Sequence, residues 1–273
     1  MEKRSSIIHS LALSAILCLW CTPSKASAKI EYELSPTLDI TLSVLGATAQ
    51  GIGSYLHSQM EIKDHDALRP AKDFLPWDRK FMGRYSETAD LMSDIGSVIA
   101  VAPLAIGGYA WYSGASNGKE FATFSLMFIQ SILFQSGINL MARSLEVWPR
   151  PYVYSDSKEG LEAARNAKGE AYGSFFSGHA SAAFTVAVFT SEWYDQVFPN
   201  SANTGLVRAL AFSLAGFESV LRVAAGKHYP TDILVGALVG TGVSYGVLTL
   251  HKKRNKKFSL WVFPGVTGAT LYF

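Results

Sequence analysis

Cysteine is almost missing from this chain. Of 273 residues only Cys18 and Cys21 are cysteine, and both fall within a stretch that reads as a secretory leader. Lys3 and Arg4 precede the apolar run IIHSLALSAILCLW, and Pro23 and Ala26-Ser27-Ala28 follow it. Cleavage after Ala28 is therefore expected. The chain that remains has no thiol, which excludes disulfides, cysteine nucleophiles and cysteine metal ligands. A surplus of positive charge is lacking too. Residues 1–28 carry Lys3, Arg4 and Lys25 against Glu2, so the formal charge of +2 falls to zero without them. A neutral chain with no basic stripe argues against nucleic acid as a partner. Strand-like alternation is scarce, and no internal repeat or low-complexity block is visible.

What is present is apolar, at 49% of residues. Long apolar runs cover 40–56, 95–112, 121–142, 180–191, 206–221 and 233–250. They predict an all-α bundle of about six helices, with the active site at helix ends and a composition compatible with membrane embedding. The expected organisation is a leader at 1–28, a helical bundle at 29–257 and a tail at 258–273. Polar residues fill 61–94, a charged loop covers 152–173, and HKKRNKK closes the last run at 251–257. The tail FSLWVFPGVTGATLYF has the composition of an extended strand, and one strand cannot close a barrel.

Three segments carry chemistry. In SFFSGHAS, Ser177-Gly178-His179 stands where a polar loop gives way to an apolar run. The unpaired amides and positive dipole end of a helix start suit an anion there. In RSLEVWPRP, Arg143 and Arg150 bracket a segment stiffened by Pro149 and Pro151, and a guanidinium fork suits phosphate oxygens. In LRVAAGKHYPTD, Arg222 ends one run, His228 lies in the connecting turn, and Asp232 stands at the next helix start. A carboxylate that holds one histidine nitrogen makes the other more basic, as a nucleophilic or base histidine requires. Each residue taken alone also has a plain structural reading, as a solvated cap or a packing histidine.

Together, these segments resemble the type 2 phosphatidic acid phosphatase superfamily, which includes bacterial lipid phosphatases, periplasmic nonspecific acid phosphatases and vanadium haloperoxidases. The matching spacings are Arg143 to Arg150-Pro151, Ser177-Gly178-His179, and Arg222 to His228 to Asp232, within a motif core at 121–250. Three positions depart from the family pattern: Arg143 replaces a lysine, Phe176 a proline and Leu221 a serine. The resemblance implies that His228 attacks phosphorus to form a phosphohistidine while Asp232 orients it. It implies that His179 protonates the leaving oxygen and later activates water. Arg143, Arg150, Arg222, Ser177 and Gly178 would hold the phosphoryl oxygens, with no cofactor and no metal required. The expected activity is a phosphatase acting on a phosphomonoester or diphosphate, its substrate a phosphorylated lipid or another phosphate ester. The alternatives are a nonspecific periplasmic acid phosphatase, a vanadate-dependent haloperoxidase, or a non-catalytic membrane helical bundle.

Location depends on counting spans. If every apolar run crosses a membrane after a cleaved leader, Arg143 to Pro151 falls inside. If the run 40–56 lies along the surface instead, five spans place all three motifs outside and HKKRNKK inside, as the positive-inside rule favours. The expectation is an exported, periplasm-facing, membrane-associated protein, in the inner membrane rather than soluble. Glu192, Asp195, Arg208 and Glu218 in or beside the runs support a competing bundle that does not span.

Overall fold

The computed structural model describes residues 30–62, 68–96, 100–253, 258–263 and 266–271. The expected leader, with both cysteines, lies outside them. Nine α-helices lie among the described residues: α1 (Pro36–Ser58), α2 (Pro76–Arg79), α3 (Glu87–Gly96), α4 (Ala102–Tyr112), α5 (Gly118–Ser144), α6 (Lys158–Ala167), α7 (Gly178–Val197), α8 (Thr204–Ala224) and α9 (Pro230–His251). The fold is all-α, as expected. The six apolar runs became α1, α4, α5, α7, α8 and α9. The polar stretches that read as connections hold α2, α3 and α6. At the C-terminus the extended tail pairs with itself as an antiparallel hairpin, β1 (Phe258–Phe263) and β2 (Val266–Leu271).

Local signals explain the helix boundaries. Asn117 caps α5 by accepting from the Glu120 amide at 3.0 Å, and Glu120 returns the bond to the Asn117 amide at 2.9 Å, a reciprocal cap for two otherwise orphaned donors. Ser157 caps α6 and Ser177 caps α7 in the same sense. The core between α5, α7 and α9 is built on Phe124, Met127, Phe128, Val188, Phe189, Trp193 and Leu248. The Phe124 and Trp193 rings meet edge to face with centroids 3.9 Å apart, adding about 1 kcal/mol to the area they bury.

The run 40–56 forms α1, which packs lengthwise and parallel to α5. At one end Gln130 donates to the Asp39 carbonyl and to Ser43; further along, Gly53 and Gly137 bring the two backbones together. A Cβ at 137 would stand 2.5 Å from the Ala49 carbonyl carbon, so a glycine there is what lets the helices touch. The start of α1 is pinned beside the end of α9. The Tyr32–Lys252 bridge, the Glu33 amide on the His251 carbonyl and the buried Asp39–His251 contact at 2.8 Å all lie there. At the opposite end α5 and α8 finish and α7 and α9 begin, and there the three motifs gather.

Candidate active site

Each motif sits on a helix end. Arg143 lies in the last turn of α5. Its Nε donates to the Gly173 carbonyl at 3.0 Å, and its Nη2 lies 3.2 Å from Glu170 Oε2. Arg150 follows in the connection, buried, with Nη2 3.9 Å from the same carboxylate. Arg222 in the last turn of α8 is 3% exposed. Buried guanidinium is costly unless it is paired, and both Arg150 Nε and Arg222 Nε lack a hydrogen-bond partner among the described residues. These are donors with capacity left for an anion.

Ser177 caps α7 with its Oγ and donates its own amide to the Asp232 carbonyl at 3.0 Å. The Gly178 and His179 amides occupy the first turn, where a helix supplies no backbone acceptor. Glycine at 178 is required by proximity, because a Cβ would lie 2.6 Å from Asn139 Oδ1. Asn139 also donates from Nδ2 to the Phe176 carbonyl at 2.6 Å. The turn that proline would stiffen in the family pattern is thus held here from α5.

His228 is 2% exposed. Its Nδ1 lies 2.9 Å from the Ser174 carbonyl, which only accepts, so Nδ1 carries the proton and Nε2 keeps its lone pair. Asp232 Oδ2 is 3.6 Å from the same Nδ1, too far for a direct hydrogen bond. That carboxylate instead accepts from Ser174 Oγ at 2.5 Å and from the Tyr229 amide at 2.9 Å. Asp232 is the third residue of α9, and its carboxylate reaches back to the residue before the helix. It is both a helix-start acceptor and the carboxyl group beside His228. Ser174 is the positioning residue that the sequence reading quoted but did not use.

A second set of residues was missed altogether. On α3, Asp90 and Asp94 stand one turn apart and therefore on one face. Arg222 Nη1 contacts Asp90 Oδ1 at 3.2 Å, Ser93 Oγ at 2.7 Å and Asp94 Oδ1 at 3.1 Å. Lys227 Nζ lies 2.8 Å from Asp90 Oδ2. A serine hydroxyl therefore does reach Arg222, although Leu221 stands where the family pattern has serine. The signal in ETADLMSDIG was an i, i+4 acidic pair, which on an isolated helix reads as a solvated face.

The electrostatics follow from this crowding of cations. Burial, then Arg222, Arg150, Arg143 and Lys227, push His179 down to about 3. His228 is held well below its ordinary value by burial and by Arg150, Arg222 and Arg143. Both rings are consequently neutral near pH 7, as a nucleophile requires, and an anion bound between the arginines would raise both. Glu170 is held below the ordinary carboxylate range. Its burial acts in the opposite direction, and Arg143 and Arg150 overcome it.

No curated protein was found to match this chain. Residues 122–256 match the family model described as the PAP2 superfamily, and that span contains every motif residue gathered at these helix ends. Over residues 122–256, just under half of its length, the chain is similar to the PAP2 superfamily.

Proposed function

We propose that this protein is a metal-independent phosphatase that hydrolyses a phosphomonoester or diphosphate of a lipid through a phosphohistidine. The observation that carries the reading is the state of His228: Nδ1 is committed to the Ser174 carbonyl at 2.9 Å, which leaves Nε2 as a buried nucleophile among three arginines. Its lone pair forms the P–N bond as the P–O bond to the leaving group breaks. His179 gives its proton to that oxygen. In the second half, His179 takes a proton from water, the water oxygen bonds to phosphorus, and the P–N bond breaks to return the lone pair to Nε2. Asp232 stabilises the positive charge that develops on His228. Arg143, Arg150, Arg222, the amides of Gly178 and His179, and the Ser177 hydroxyl neutralise and orient the three equatorial oxygens. Phosphoryl transfer demands mainly this, so a metal is not needed for the step.

A lipid substrate is supported by the surroundings of the site. A pocket of about 190 Å³ borders Arg143 and is walled by Ala142, Leu145, Val147, Trp148 and Phe175, an apolar recess beside the first phosphate arginine. Outside the bundle, large apolar side chains face outward on most helices, among them Ile40, Ile52, Leu91, Leu210, Phe217, Leu234 and Leu238. Patches of this extent mark membrane or partner surfaces. Both α5 and α9 are long and apolar enough to cross a bilayer. We accordingly read the protein as membrane-associated, with the site on the exported side.

The test is phosphate release by the purified protein in EDTA, from phosphatidic acid in detergent and from glycerol phosphate, which has the same head group without chains. The expected result is turnover in EDTA, with kcat/KM higher on the lipid by about a hundredfold or more, since chain binding contributes to transition-state affinity. Equal values would overturn the lipid assignment, and a loss of turnover that magnesium restores would overturn the metal-independent mechanism. Release from neither of these, nor from a polyprenyl diphosphate, would overturn the phosphatase reading.

A further inference from the structure

Asp94 occupies a position that the mechanism above does not use. Its Oδ1 is 3.1 Å from Arg222 Nη1 and 3.7 Å from His179 Nε2, so one carboxylate oxygen stands between a phosphate-binding guanidinium and the ring of the acid histidine. His179 faces Arg143 and Arg150 from the α5 side, Arg222, Lys227 and His228 from the α8–α9 side, and Asp94 from α3. Among the described residues, Asp94 is the one carboxylate within 4 Å of that ring. Resting on the phosphatase reading, we propose that Asp94 is a positioning residue for the leaving-group step: phosphate occupies the free Nε of Arg222, and Asp94, one of three acceptors sharing Nη1, turns to pair with His179 in its proton-donating form.

The physical need is clear from the surroundings. A ring flanked by four cationic side chains resists the protonation that a general acid requires. Substrate brings negative charge, but its oxygens are committed to the arginines, whereas a carboxylate hydrogen-bonded to the ring nitrogen holds both the proton and the ring orientation. Arg222 Nε is left for a phosphoryl oxygen, whereas Nη1 cannot serve Asp90, Ser93 and Asp94 at once with two hydrogens, so Asp94 is a contact that can be released. Asp94 has room to turn, its side chain being 61% exposed.

The experiment compares Asp94→Asn and Asp94→Glu with the unaltered protein on phosphatidic acid, whose alkoxide leaves only when protonated, and on an aryl phosphate, whose phenolate leaves unaided. General acid catalysis contributes about a hundredfold to ten-thousandfold. Asp94→Asn should therefore lower kcat on the lipid ester by about tenfold or more, keep the aryl kcat within about twofold, and move the descending limb of the kcat–pH profile to lower pH. Asp94→Glu should restore most of the loss. Equal losses on both esters, an unmoved pH profile, or a lower KM with kcat unchanged on both would overturn the proposal. The ring nitrogen resonances of His179 in the phosphate-bound protein report the same contact without turnover. Their titration midpoint should fall in Asp94→Asn, and an unchanged midpoint would overturn the proposal. Turnover of neither ester by the unaltered protein would count against the phosphatase reading, and the resonance titration would still decide the role of Asp94.

Discussion

The nucleophile is prepared by a backbone carbonyl and a hydroxyl as much as by a carboxylate. The Ser174 carbonyl fixes the His228 tautomer, while its hydroxyl holds Asp232 in place. The two functions are separable, because Ser174→Ala keeps the carbonyl and removes only the hydroxyl. One net hydrogen bond contributes about 1 kcal/mol, more to a charged group. Ser174→Ala should thus lower kcat by about tenfold with KM unchanged, since Ser174 touches no phosphate ligand. Rates measured across substrate concentration check this, and an undiminished kcat would mean that Asp232 needs no help. The residue-level reading named candidate residues at helix ends. It was incomplete about what each one touches, because hydrogen-bond partners 54 and 58 positions apart leave no local pattern.

Glycine decides how the helices approach. At Gly137 an added methyl would press on the Ala49–Gln50 backbone, which cannot move without shifting α1. At Gly51 on the same helix pair an added methyl would meet nothing within 4 Å. Gly137→Ala should therefore destabilise by about 1–3 kcal/mol through overpacking. Gly51→Ala should be neutral or stabilising by up to about 1 kcal/mol. Thermal unfolding of the two variants in detergent is the measurement, and similar shifts in both would contradict the close α1–α5 contact. Among the elements, α3 was the one whose role could not be read beforehand. Its polar face looks solvated in isolation and becomes a wall of the site only because α8 ends against it.

Across the whole molecule, the two ends of the bundle are chemically distinct. Arg143 lies at the site end of α5, and Lys119 lies 24 residues earlier, which at 1.5 Å per residue is about 36 Å away. Ile30 and Lys252 share the Lys119 end. With α1 running along α5, a bilayer crossed by α5 would be crossed by α1 too, and the site lies on the face opposite both ends of the described helical body. We expect the bundle to cross the membrane with the site outside. With Cys18 and Cys21 replaced by serine, Lys158→Cys should react with an impermeant maleimide in intact cells, and Lys119→Cys only after permeabilisation. Reaction of both in intact cells would mean that the bundle lies wholly on the exported side. Reaction of neither would place the site in the cytoplasm. Protection of Lys119→Cys would also count against cleavage after Ala28, because Ile30 lies at that same end.

The sequence by itself determined the helices of the bundle, through apolar runs of helical length, and the resemblance to the PAP2 superfamily, through arginines, histidines and an aspartate at spacings that survive without any structure. It determined as well that Ser-Gly-His stands at a helix start, because hydroxyl caps and small residues at a polar-to-apolar boundary are local signals. Tertiary structure alone decided that α1 lies along α5, since the glycines that permit it are 84 residues apart and each reads as an ordinary helix glycine. It decided that Ser174, and not Asp232, makes the direct bond to His228. It also brought Asp90, Ser93 and Asp94 to Arg222 across nearly half the chain. These contacts depend on which helix faces pack together, and that is set by the combined burial of all the apolar faces, which no single segment encodes.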